Sequence, residues 1–242
     1  MPDITSIAYC GPAAVPDDLL ARWNLDPVLL AGLAALAVAL AGGRSAHARA
    51  GWGALALMVV IFVSPLCALS SALFSARVLH HVLLIAAVAP LLALAFPLRR
   101  LPSPPLSLLV GLQGVVLWVW HMPIPYEWGL ATVPTYWLMQ ISLLGSAFLL
   151  WRAVLAPAIP AGPALVALVG TVAQMGLLAA LIVFAPRALY EVHVASTQAW
   201  GMSPLADQQL AGLLMWVPAS LPYLGVGLWL AWSSLRPAEP AA

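Results

Sequence analysis

Seven apolar stretches follow one another along this sequence, at about 27 to 43, 51 to 74, 78 to 98, 103 to 121, 133 to 151, 163 to 186 and 208 to 235, each bounded by proline, glycine or charged residues. A helical crossing of a lipid bilayer takes about 20 apolar residues, and where water is absent only a helix or a closed barrel satisfies its own backbone. Runs of this length predict membrane helices rather than the core of a soluble domain. Composition agrees, with 64% hydrophobic and 7% charged residues, whereas a soluble domain carries about a quarter charged residues. The predicted fold class is all-α, a polytopic integral membrane bundle of about seven transmembrane helices. The expected organisation is an outer N-terminal segment at 1–26, a transmembrane domain at 27–235 and a tail at 236–242.

The connections are short, so neighbouring helices should pack antiparallel. The longest segments outside the apolar runs are the first 26 residues and the loop from about Arg187 to Asp207, and alternation puts both on one side. Arg44, Arg49, Arg99, Arg100, Arg152 and Arg236 fall on one face, and Arg22, Arg77 and Arg187 on the other. Because cytoplasmic loops hold the excess of basic residues, the C-terminus is expected in the cytoplasm and the N-terminus outside. The acids sort oppositely: Asp3, Asp17, Asp18, Asp26, Glu127, Glu191 and Asp207 lie outside and Glu239 inside. The first residues, MPDITSIAYCGPAAVPDD, have neither a basic nor an apolar region and do not read as a cleavable signal.

A formal net charge of +1, with no lysine, gives no electrostatic case for nucleic acid. Cys10 and Cys67 are too few for a disulfide framework and lack CxxC spacing, so they are either a pair or two lone thiols. Pro65, Pro90, Pro218 and Pro222 fall within predicted helices and should bend them; Pro218 and Pro222 alternatively open a cavity in the last helix. No internal repeat is visible, which weighs against an inverted-repeat transporter.

Apart from His47, the histidines share the outer layer: His80 and His81 at the start of the third run, His121 at the end of the fourth, and His193 before the last. Met122, Met202, Cys10, Cys67, Glu127, Glu191 and Asp207 lie at the same level. Imidazole with thioether or thiolate suits copper, whereas magnesium and calcium ask for oxygen cages. Adjacent residues on a helix point about 100° apart, so His80 and His81 do not both face one narrow cavity. His81 is favoured because Arg77 and Leu84 or Ile85 share its face; the bland alternative is a pair of interfacial histidines. His121, in LWVWHMPIPY before a Pro-x-Pro turn, is a ligand or an interhelical hydrogen-bonding group. Trp118, Trp120 and Tyr126 most simply belong to an interfacial aromatic belt. Gln113, Gln140 and Gln174 lie inside helices and should find interhelical partners. Ser203 or Asp207 should cap the last helix, which leaves Gln208 and Gln209 unexplained. No HxxxH, CxxC or defensible haem-ligand spacing is present.

ALFSARVLHHVLLIAAVAPLLAL, LWVWHMPIPYEWGL, VFAPRALY and WGMSPLADQQLAGLLMWVP together resemble successive motifs of the CtaG family of cytochrome c oxidase assembly factors, the multi-spanning kind linked to caa-type oxidases. The resemblance covers roughly residues 70 to 235, and its most distinctive piece is Asp207, Gln208, Gln209, Gly212, Met215 and Trp216. It implies a non-enzymatic protein of the bacterial cytoplasmic (inner) membrane that supplies or inserts copper, as Cu(I), on the outer side. Its client would be a cytochrome c oxidase subunit, its surroundings the lipid bilayer, and a homo-oligomer is left open. His81 and His121 are the transferable ligand positions, with His80, Met122 and His193 as further metal candidates. Asp207, Gln208, Gln209, Arg77 and Trp216 are further functional candidates. The family's helix 3 often reads His-Met-x-x-His, where Arg77 stands at the first position here, and a family histidine on helix 5 corresponds to Gln140. Neutral imidazole is needed for copper, so binding should weaken below about pH 6.5. The rival readings are a metal-free membrane chaperone, a haem-binding quinol-linked redox protein and a small-solute transporter.

Overall fold

The computed structural model describes residues 9–98 and 104–235. Asp3, Arg99, Arg100, Arg236, Glu239 and the tail at 236–242, on which part of the charge asymmetry rests, lie outside the described residues.

The helices are α1 (Pro27–Ala41), α2 (Ala48–Val63), α3 (Leu66–Ala72), α4 (Phe74–Ala95), α5 (Leu106–His121), α6 (Pro123–Ala131), α7 (Val133–Val154), α8 (Ala161–Val183), α9 (Pro204–Trp216) and α10 (Ser220–Leu235). Helices α4, α7, α8 and the α9–α10 run Pro204–Leu235 are long and apolar enough to cross a membrane. The bent pairs α2–α3 and α5–α6 raise this to six spans if each counts as one. Helix α1, with 15 residues, extends only about 22 Å at 1.5 Å per residue, short of a hydrocarbon core of about 30 Å.

Prolines mark the irregularities. Pro90 has no N–H to donate to Ala86 and its ring crowds that carbonyl, and α4 opens into a π-turn over Leu84–Val88 just before it. A second π-turn, Val59–Val63, precedes Pro65, where α2 and α3 meet at 47°. Pro218 lies at the break between α9 and α10, and Pro222 in the first turn of α10. At Pro123 the chain turns by 78° from α5 into α6.

That turn lays α6 back against α7 and changes the fate of the aromatic residues around it. Tyr126 is fully buried and Trp120 nearly so. Trp120 Nε1 donates to Ser142 and Trp118 Nε1 to Gln174, so these side chains tie helices together instead of forming an interfacial belt. Ser146 Oγ donates to Gln113 at 2.6 Å and Gln140 meets His81, so the three intrahelical glutamines find interhelical partners as expected.

Helix α4 is the centre of the bundle: 61% of its most apolar window is buried, against 17% in Pro204–Leu235. It packs on α9 at its N-terminal half and on α2 and α7 at its C-terminal half. The N-terminal segment runs across the end where α4 begins. Cys10 and Cys67 form a disulfide with their Cα atoms 5.2 Å apart. Tyr9 stacks on Tyr136 and donates to Asp26, which in turn caps α1 through the Val28 amide. Burial, and then the Asp26 acceptor, push the Tyr9 hydroxyl well above its ordinary pKa, so it keeps its proton and its role as donor.

Candidate functional site

The first turns of α4 carry Arg77, His80 and His81, and all three are buried. Their helix begins at Phe74 without a cap of its own, because Leu73 has no side-chain oxygen to offer the first amides. Asp207 of α9 supplies it. One carboxylate oxygen accepts from the Phe74 amide at 2.7 Å, and the other from the Ser75 amide at 3.1 Å and from the Ser75 hydroxyl. Asp207 therefore does not cap its own helix, where Ser203 accepts from the Ala206 amide. It caps α4 across the helix interface, with a full negative charge at the positive end of that dipole.

The rest of the Asp-Gln-Gln motif is also architectural. Gln208 Oε1 accepts from the Leu189 amide at 2.7 Å, and its Nε2 donates to the Ile182 carbonyl at 3.0 Å, which fastens the loop after α8 onto α9. Gly212 lies against the backbone of α8 and Met215 is buried. Gln209 is half-buried, and Trp216, 40% exposed, covers Gly176 of α8.

His81 and His121 come together at the level of this cap. Their ring centroids are 5.5 Å apart and the rings nearly perpendicular. His121 Nδ1–H donates to the Leu117 carbonyl at 2.7 Å, which leaves the lone pair on Nε2, and that atom is buried with no protein partner. The Gln140 side-chain amide approaches His81 Nε2 at 3.3 Å, and His81 Nδ1 has no protein partner. His80 turns away from His121 toward α2, edge-on to Phe62 and close to the Ile61 carbonyl. It is fully buried, so the interfacial position is not the one it takes.

Arg77, one turn before His81, places its guanidinium 5.3 Å above the Tyr136 ring and within reach of the Tyr126 and Tyr136 hydroxyls. Among the described residues no carboxylate pairs with it. A buried guanidinium over an aromatic face, its nitrogens without a hydrogen-bond partner in the protein, is a fixed positive charge beside the histidine pair.

Met122, at the end of α5, is 52% exposed. His193 is buried and fixed: Nε2 meets the Tyr126 hydroxyl at 2.7 Å, and the Ser71 and Ala72 carbonyls face the ring. Burial drives its pKa down to about 3, so its imidazole is neutral at physiological pH. Tyr190 closes the site from the same loop, stacked on Phe74 with its hydroxyl donating to the His121 carbonyl at 2.7 Å. Tyr136 is not singled out in the sequence, Tyr126 reads there as part of an interfacial belt, and the pairing of Cys10 with Cys67 is left open. Gln140 is marked there as an intrahelical amide in need of a partner and by the family resemblance, not as a neighbour of His81.

A family model for the cytochrome c oxidase caa3 assembly factor, Caa3_CtaG, matches residues 30–237. The chain belongs to the Caa3_CtaG family. No curated protein and no solved structure matches it. As a Caa3_CtaG assembly factor it would act on cytochrome c oxidase as its client.

The side chains around the His81 ring set what it can hold. His121 Nε2 and His81 Nδ1 are the two ring nitrogens without a protein partner, on imidazoles whose centroids are 5.5 Å apart. Among the described residues no three His, Cys, Asp or Glu side chains converge on one point. Two imidazoles suit a soft, low-coordinate ion such as Cu(I) better than a cation that demands an oxygen shell.

Proposed function

We propose that this Caa3_CtaG member is a non-enzymatic assembly factor of the bacterial inner membrane that passes Cu(I) to cytochrome c oxidase from its outer side through His81 and His121. The observation that carries the reading is the tautomer of His121: with Nδ1–H donated to the Leu117 carbonyl, the buried Nε2 keeps its lone pair and has no protein partner, on a ring whose centroid lies 5.5 Å from that of His81. Copper is cargo here, and Arg77 fits that role. A fixed cation next to the site weakens retention of a second one, which favours release to a client over storage. Met122, exposed beside His121, is the thioether through which the ion enters, and His193 holds Tyr126 in place behind it.

The outer location is supported by the arginine asymmetry and by the Cys10–Cys67 disulfide, since such bonds persist in oxidising compartments. The short α1 then serves as the seventh crossing.

Replacing His81 or His121 with Ala should abolish stoichiometric Cu(I) binding at unchanged yield, while His47→Ala leaves it intact. Equal copper retention in all variants and the parent would sink the reading. That result would instead favour a metal-free chaperone, the role to which the Arg77 charge and the Gln140 amide would then belong.

A further inference from the structure

The disulfide lies against the same group of side chains, on the side of the N-terminal segment. Tyr136 O–H points at Cys10 Sγ from 3.7 Å, and Asn24 Nδ2 at Cys67 Sγ from 3.7 Å. The Tyr136 ring that approaches one sulfur carries the Arg77 guanidinium at 5.3 Å, and Asn24 also donates to the Phe62 carbonyl, on the residue whose ring packs on His80. Each sulfur thus has a hydrogen-bond donor beside it, and a donor of that kind also stabilises a thiolate once the bond is broken.

The segment that brings Cys10 here does not depend on the disulfide alone. Tyr9 is bonded to Asp26 and stacked on Tyr136, the Pro12 carbonyl accepts from Arg22, and the Ala14 carbonyl accepts from Trp200. These contacts hold Cys10 opposite Cys67 in the reduced protein as well. Metal–sulfur bonds of about 2.3 Å require sulfurs no more than about 4.6 Å apart, within reach of two side chains whose Cα atoms are separated by 5.2 Å.

Building on the copper reading above, we propose that the reduced Cys10–Cys67 pair is a second Cu(I) site, a dithiolate station joined to the His81–His121 site through Tyr136 and Arg77, closed whenever the disulfide is formed. An external dithiol opens it: two electrons and two protons pass to the Cys10 and Cys67 sulfurs while the external pair becomes a disulfide. Cu(I) then displaces the two thiol protons and remains Cu(I). Thiolate is the softer donor and captures the ion, and the neutral imidazoles behind it hold the ion more weakly.

The test titrates the full-length protein with Cu(I) against a chromogenic chelator, before and after reduction by a phosphine, which takes oxygen from water to become its oxide as the disulfide becomes two thiols. The reduced protein should bind one further equivalent with a near-ultraviolet sulfur-to-copper band, and reoxidation should remove both. Cys10→Ser/Cys67→Ser should show no increment, and His81→Ala/His121→Ala should keep the increment while losing the reduction-independent copper. Equal uptake by the oxidised and reduced parent, or an increment that survives in the serine variant, overturns the dithiolate site. The reduction cycle on the unmodified protein decides this even if the serine variant does not fold. An increment on reduction with no copper at all in the oxidised parent supports the dithiolate site while defeating the histidine pair.

Discussion

Asp207 is the residue on which the site geometry turns. Its two oxygens accept three hydrogen bonds from Phe74 and Ser75, so the first turn of α4, and with it Arg77 and His81, is registered against α9. In Asp207→Asn one oxygen is replaced by a donor that faces an N–H, and the charge at the helix N-terminus is lost. We expect a destabilisation of about 1–3 kcal/mol, read as a lower unfolding midpoint in detergent, whereas Ser203→Ala should cost about 1 kcal/mol. A midpoint unchanged in Asp207→Asn would show that the cross-helix cap contributes nothing. His193 supplies a pH dependence. Its folded pKa, about 3, lies below the unfolded value of about 6.5, so between the two the unfolded chain binds more protons. Stability is full above about pH 6.5 and falls on acidification, by about 2 kcal/mol at pH 5. Thermal midpoints at pH 7 and pH 5 should show that difference, and His193→Gln should remove it.

At the level of helices, α8 and α9 meet backbone to backbone at Gly212. A Cβ on Gly212 would lie 2.4 Å from Val183 Cγ2, 3.0 Å from the Ala179 carbonyl and 3.2 Å from the Val183 amide. Two of those atoms are backbone and cannot rotate away. Gly212→Ala should therefore separate the helices and lower stability by about 1–3 kcal/mol, while Gly145→Ala, with open space at its Cβ, should not. Matching midpoints for the two variants would refute the close contact. The same contact explains why glycine stands in the Asp-Gln-Gln motif: Asp207 caps α4, Gln208 binds the loop after α8, and Gly212 lets the backbones meet. Helix boundaries were legible to within a few residues, because apolar length and proline position are local properties. The bends at Pro65 and Pro218 were legible too, as prolines inside apolar runs; α6 as a separate helix was not, since it depends on how the chain is accommodated in the packed bundle.

For the molecule as a whole, orientation decides whether the site meets the oxidising side. A reporter fused after Arg236 should be active only in the cytoplasm. A membrane-impermeant thiol reagent should label Cys10 from outside only after reduction, because Cys10 is bonded to Cys67. Labelling without reduction, or periplasmic activity of the reporter, would overturn the arrangement. The sequence by itself determined that the chain is helical and apolar enough for a membrane, which follows from nearest-neighbour patterns of hydropathy and needs no tertiary contact. It also singled out His81 and His121 by their level in the bundle, and carried the family motifs. Only the tertiary structure decided that Cys10 reaches Cys67 across 57 positions, that Gln140 faces His81 across 59, and that Asp207 caps a helix 132 positions away. Such pairings leave no periodic signal, because they arise when helices far apart in the chain bury their polar groups against one another in a medium where those groups find no water.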